Sequence, residues 1–185
     1  HEKPTVKPRK LRYQWRGYLR PLYRDCTSSG DLMEATTSSL FAELARRGGE
    51  RVGLETAIGL RELASTMVAM ADGTATPHFF LSSLDPGLGK TTTVTSFVQE
   101  LLRSEQHEDA AVLLCFSRLE EISRLVVDLR LGKDDFAVLT SDEETNKLSS
   151  AAPSEARVLL TTHAMVMNRC RGRHFKDAGV FYYLG

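Results

Sequence analysis

Cysteine, long apolar runs and net charge are all in short supply in this chain, and each shortage removes a class of protein. The cysteines, Cys26, Cys115 and Cys170, are odd in number, widely spaced and without a Cys-x-x-Cys pair. That excludes a disulfide framework and offers no zinc ligand set. A reducing, cytoplasmic setting is therefore expected, with Cys115 a small core residue inside an apolar strand. The longest apolar runs, such as Ala110 to Phe116, fall far short of the roughly 20 residues that cross a bilayer, so no membrane partner is expected. Formal net charge is +0, from 24 basic and 24 acidic residues, and 42% of residues are hydrophobic. Such a balance excludes a wholly disordered chain. The 185 residues suffice for one ordinary soluble domain, or one domain with an extra lobe. No secretory leader is visible, since His1-Glu2-Lys3-Pro4 has no apolar segment behind it. The first residue is not Met, which fits an excised or processed piece.

The zero net charge hides an asymmetry. Residues 1–24 carry eight Lys or Arg against Glu2, a net +7, which leaves −7 for residues 25–185. A basic arm on an acidic body raises the question of nucleic acid. Tyr13, Trp15, Tyr18 and Tyr23 interleave with the cations. Two readings follow: a phosphate-contacting segment whose rings stack on bases, or a strap whose aromatics pack onto the body.

Residues 25–75 have helical patterning. Ser38 or Ser39 can cap a short helix carrying Leu40, Phe41 and Leu44, stopped by Gly48-Gly49. A second helix is predicted from about Leu54 to Met70, ended by Gly73. After Pro77 the pattern changes. Phe79-Phe80-Leu81-Ser82 reads as a buried strand, followed by a helix with Val94, Phe97, Val98, Leu101 and Leu102 on one stripe. Ala111 to Phe116 is a second strand, and Ser117-Arg118-Leu119-Glu120 has the spacing of a capping box opening the next helix. Phe136 to Leu139 and Arg157 to Thr161 are further strands, separated by a polar loop or frayed helix over residues 141–155. A helix from about His163 and a strand over Val180 to Leu184 complete the series. Strands alternating with helices of this length predict an α/β fold with a mostly parallel sheet.

The sharpest signal is Leu84-Asp85-Pro86-Gly87-Leu88-Gly89-Lys90-Thr91. A P-loop has Gly-x-x-x-x-Gly-Lys-Ser/Thr between a strand and a helix. The last three positions match, and Leu84 stands where the first glycine is usual. Gly87 and Gly89 allow the backbone to turn its N–H groups towards phosphate oxygens. The helix starting near Lys90 adds its positive N-terminal end. Lys90 supplies an ammonium to the β/γ-phosphates and Thr91 a hydroxyl to Mg²⁺. The predicted ATP site is thus Asp85, Pro86, Gly87, Leu88, Gly89, Lys90, Thr91 and Thr92, with Lys90 as the catalytic cation and Thr91 as the metal ligand.

Pro86-Gly87-Leu88-Gly89-Lys90-Thr91 resembles the loop of superfamily 2 (DEAD/DEAH-like) helicases and related RecA-like ATPases. Cys115-Phe116-Ser117-Arg118-Leu119-Glu120 looks like a loose form of the family's Pro-Thr-Arg-Glu-Leu motif, with Phe116 in place of Pro and Glu and Leu out of family order. Val158-Leu159-Leu160-Thr161-Thr162-His163 is similar to its Thr-Thr-His strand end. The resemblance spans residues 76–185 and implies a partial RecA-like P-loop NTPase domain, with the helical region 25–75 and the arm 1–24 before it. It implies that Arg118, Thr161 and Thr162 touch the nucleic-acid backbone. It also implies an Asp-Glu acidic motif and a second RecA-like domain, neither of which these residues contain. The expectation is the first part of a longer ATP-dependent helicase or translocase that alone hydrolyses ATP slowly or not at all.

Two alternatives accompany that expectation. Phe136 to Leu139 followed by Asp142-Glu143-Glu144 has the general form of a Walker B segment, so Asp142 could hold Mg²⁺ in a non-helicase ATPase or kinase. The other reading of those acids is a solvated loop. A nucleic-acid-binding adaptor without turnover is the second alternative. His78, His107, His163 and His174 have no partners at convincing metal-ligand spacing.

Overall fold

The structure, a computed structural model, describes residues 29–47, 52–76, 78–171 and 175–181. The basic arm 1–24, Gly48-Gly49 and residues 182–185 lie outside the described residues. Two long helices come first, α1 (Ser29–Arg46) and α2 (Leu54–Ala71). They are followed by α3 (Lys90–Arg103), a 3-10 turn (Glu105–His107), β1 (Val112–Phe116) and α4 (Leu119–Leu129). The chain continues through β2 (Phe136–Leu139), the one-turn α5 (Glu143–Asn146), β3 (Val158–Thr162), α6 (His163–Cys170) and a 3-10 helix (Phe175–Phe181).

The three strands form one parallel sheet in the order β1-β3-β2. Period-two alternation sorts their side chains between two faces. Phe136, Val138, Val158 and Leu160 point to one face, and all are at most 4% exposed. Val98 and Leu101 of α3 and Ile122, Leu125 and Leu129 of α4 cover them. The 122/125/129 spacing is the stripe that lets one helix face lie on a sheet. Burying each such side chain stabilises the fold by about 1.5–3 kcal/mol. On the other face Ala137 and Leu159 pack with Ala156, half-buried Leu113 and Leu139, and Phe181 of the last 3-10 helix. That cover is thinner.

Helices α1 and α2 pack against each other and both against α3. Leu32 of α1 and Val68 of α2 join the main core. The Arg61 guanidinium lies 5.4 Å from the centre of the Phe41 ring across the α1–α2 pair. Three polar ties fix the far end of α3. Arg157 donates to the carbonyls of Leu101 (3.1 Å), His107 (2.7 Å) and Ala110 (3.2 Å). Gln99 donates to the Leu129 carbonyl at 2.8 Å, which ties α3 to the end of α4. His107, 3% exposed, sits between the Ser104 hydroxyl (2.7 Å) and the Asp72 carboxylate (2.8 Å). One tautomer satisfies both: Nε2–H donates to Asp72 while Nδ1 accepts from Ser104.

Several local expectations change. The first helix is a single element through Ser38 and Ser39 rather than a short helix starting there. Thr37 Oγ1 bonds back to the Met33 carbonyl at 2.9 Å, so the polar run 36–39 is absorbed inside the helix. Residues 79–82 form no strand: Phe79 is 107% and Leu81 97% exposed. Their apolar character is a strand propensity without a ladder partner among the described residues. Val180 and Phe181 belong to a 3-10 helix, not a strand. The α4 cap lies one residue later than the Ser117 box. Arg118 takes the cap position, and Glu121 Oε2 accepts from the Ser117 and Arg118 N–H groups, each at 3.1 Å. An arginine side chain has no acceptor to return, so this box is one-sided. Among the described residues no helix is long and apolar enough to cross a membrane.

Candidate functional site

Residues 85–91 turn the chain sharply into α3. The Leu88 N–H reaches the Asp85 carbonyl at 3.4 Å, with Pro86 and Gly87 between them. Proline followed by a residue at φ +86° is the type II turn pattern, which puts glycine where side chains are strained. Gly89 then takes φ +102° and stands as the N-cap of α3. It has no side chain to accept from the first turn, and among the described residues no other side chain caps this helix end. The first N–H groups of a helix have no partner within it, so those of α3 remain available and carry its positive dipole end.

Lys90 is half-buried, and its ammonium lies across the loop. Nζ donates to the Leu84 carbonyl and, at 3.0 Å, to the Asp85 carbonyl. The cation thus closes the loop into a ring from its first residue to the start of α3. Thr91 is exposed, and its hydroxyl makes no hydrogen bond among the described residues. Thr92, by contrast, is only 7% exposed and faces inward. Asp85, Pro86, Gly87 and Leu88 are all exposed. The arrangement sets one ammonium across the loop carbonyls, with an exposed Thr91 hydroxyl beside it at the start of α3. Helix starts and glycine-rich turns of this kind are places where anionic oxygens can be held.

The helical pair α1–α2 supports this loop, which the sequence did not reveal. A Cβ at Gly89 would stand 3.3 Å from Leu44 of α1 and 3.5 Å from Leu60 of α2. A Cβ at Gly59 of α2 would stand 2.7 Å from Leu84 Cδ2. The signal available in the sequence was a glycine inside an amphipathic helix, which marks a close approach.

The structure brings together two of the segments assigned to nucleic acid. Phe116 and Thr162 are register partners at the ends of β1 and β3, so the turns that follow lie side by side at the sheet's C-terminal edge. Arg118 is exposed there. Thr162 caps α6, its Oγ1 accepting from the Met165 N–H at 3.2 Å, and it stays partly exposed. Thr161 is placed differently. It is fully buried, and its hydroxyl donates to the Leu139 carbonyl at 2.6 Å. Thr161 therefore holds β3 to β2 and presents no surface.

Asp142 is engaged locally. Its Oδ2 accepts from the Thr145 hydroxyl (2.6 Å) and N–H (2.7 Å), which caps α5. Those hydrogen bonds hold its carboxyl below the usual aspartate range. Among the described residues no group of three or more His, Cys, Asp and Glu could hold a metal ion. Cys115 is a free thiol in β1, and burial pushes its pKa up, which keeps it protonated.

A cleft of about 730 Å³ lies elsewhere, around Gln99, Arg103, Asp128, Arg130 and Arg157. Gln99 is about 13 Å along α3 from Lys90 at 1.5 Å per residue. The cleft lining carries five arginines and five acids, some of them paired, as in Glu43 between Arg46 (2.6 Å) and Arg47 (2.8 Å) and Arg47 on Asp128 (3.2 Å). That balance leaves no surplus of one sign to select a ligand. No family model, curated protein or solved structure matches this chain.

Proposed function

We propose that this chain is the ATP-binding part of an ATP-dependent nucleic-acid helicase or translocase of the RecA-like P-loop class, working in the cytoplasm. The observation that carries the proposal is the Lys90 ammonium lying across the carbonyls of Leu84 and Asp85 at an uncapped helix start. The β- and γ-phosphates of ATP would lie against the N–H groups of Gly87 to Thr92, with Lys90 neutralising their charge. Thr91 would hold Mg²⁺, whose chemistry is to bridge phosphate oxygens and offset charge developing in phosphoryl transfer. What the chain itself contributes is positioning. The glycine-rich turn would offer its free amides to the phosphates, and the α3 dipole would favour the anion.

Nucleic acid is proposed to bind at the sheet's C-terminal edge through Arg118 and Thr162. Their adjacency across β1 and β3 supports this part of the reading. A second RecA-like domain is the proposed partner for turnover. The buried position of Thr161 leaves it a structural role.

The test is titration of wild type and Lys90→Ala with a fluorescent ATP analogue in Mg²⁺. Loss of a charge-assisted contact is worth about 1.5–3 kcal/mol, roughly 10- to 150-fold in Kd. Equal affinities would remove the nucleotide assignment. For nucleic acid, anisotropy of a labelled single strand across a salt series should show weak, salt-sensitive binding that Arg118→Ala reduces. Unchanged binding in that variant would remove the edge from the account.

A further inference from the structure

We propose that Gly59 of α2 is a positioning residue for the glycine-rich loop, and that Gly59 and Leu84 form a size-matched pair that sets the loop's shape. This rests on the reading of the loop as a phosphate cradle. Leu84 occupies the place where such loops usually open with glycine, so some other device must fix the entry. The Leu84 side chain fills the notch left by the missing side chain of Gly59, where a Cβ would come within 2.7 Å of Cδ2 and 3.3 Å of Cγ. A second anchor lies at the loop's other end, where Gly89 approaches Leu44 and Leu60. The Leu84 carbonyl is one of the two that hold the Lys90 ammonium. A displacement of Leu84 that reaches its backbone is therefore passed to the cation.

Helix formation gives no reason for a glycine at this position. Gly59 lies inside an 18-residue helix, where glycine is unfavourable relative to alanine. Beside it, Leu60 is fully buried and Leu84 half-buried, so the contact excludes water on the loop's inner side. Gly59→Ala would improve the helix and crowd the loop. Those opposite signs separate a positioning role from a merely structural one.

The experiment compares wild type, Gly59→Ala, Leu84→Ala, the double variant and Leu84→Phe, which crowds the same notch from the loop side. Two quantities are read. One is the Kd for a fluorescent ATP analogue in Mg²⁺. The other is the amide chemical shifts of Gly87, Gly89 and Lys90 in the nucleotide-free protein. Gly59→Ala and Leu84→Phe are each expected to weaken binding about tenfold, the scale on which ångström-sized misplacement acts, and to move the loop amides while thermal stability holds. The double variant should match Leu84→Ala to within about twofold, the scatter of independent sites, because the alanine then has room. Loop amides and affinity that stay at wild-type values in Gly59→Ala would overturn the proposal, as would strictly additive effects in the double variant. If wild type fails to bind the analogue, the nucleotide reading falls. The amide shifts still decide whether Gly59 shapes the loop.

Discussion

Phe136–Leu139 and residues 79–82 have the same apolar character and opposite fates. In the first, Phe136 is 1% exposed and the backbone runs parallel to β3. In the second, Phe79 is 107% exposed and no ladder forms with the other described residues. What separates them is the partner. β2 lies beside Val158–Thr162, with α3 and α4 behind it, so its backbone groups are paired and its rings covered. Residues 79–82 lead into a loop whose form comes from side-chain docking on α1 and α2 and from one lysine, not from a sheet. One region owes its shape to collective burial, the other to a few specific contacts.

That contrast can be broken most forcefully at β2. Phe136→Ala should destabilise the fold by about 3–5 kcal/mol, since a buried ring leaves a cavity in a closed core. Urea unfolding followed by far-UV circular dichroism measures it, and a loss below 1 kcal/mol would mean that the sheet core is not the fold's main support. His107→Ala comes next, at about 1–3 kcal/mol, because Asp72 and Ser104 each lose a buried partner. The same unfolding curves apply. A neutral result would show that the loops after α2 and α3 do not depend on this tie.

On the other side of the comparison, Phe79→Ser and Leu81→Ser should each change stability by no more than about 0.5 kcal/mol, as exposed positions do. A large loss in either would place this segment in a packed environment and erase the contrast with β2. The smallest effect concerns pH. Hydrogen bonds from Arg46 and then Arg47 hold the Glu43 carboxyl down to about 2, from 4.5. A carboxylate lowered in the folded state adds stability that is fully present above its unfolded pKa and is lost as pH falls through the folded one. Wild type should therefore be slightly more stable than Glu43→Gln at pH 6, with the difference shrinking between pH 4.5 and about 2. A difference that grows on acidification would contradict the pairing. Arg46 and Arg47 are exposed, so the pairing lies at the surface, carries little stability and should weaken in salt.

Much of the α/β part was legible in the sequence because it repeats local rules. The apolar runs 111–116 and 136–139 announce themselves by their composition, and the structure forms strands at Val112–Phe116 and Phe136–Leu139. What local patterns could not carry was partnership. The run 79–82 has strand propensity, but pairing is decided by distant backbone. Thr161 and Thr162 look equivalent in sequence, yet alternation along β3 buries one and leaves the other at a helix cap. Asp142 after an apolar strand reads as a metal ligand or as loop, and the choice falls to Thr145, three residues on, whose N–H and hydroxyl take the carboxylate. At the candidate site the glycines, lysine and threonine were legible as a motif. The support from Gly59, Leu44 and Leu60 was not, because it comes from helices far away in sequence.

The central claim is that the loop 84–91, not the cleft along α3, receives ATP. Backbone amide chemical shifts of the isotope-labelled chain, followed during titration with Mg-ATP, test it most directly. The account predicts saturable shifts concentrated at Gly87, Gly89, Lys90 and Thr91, with Gln99, Arg103 and Arg130 unmoved. Shifts centred on those three residues, or none at all, would contradict it.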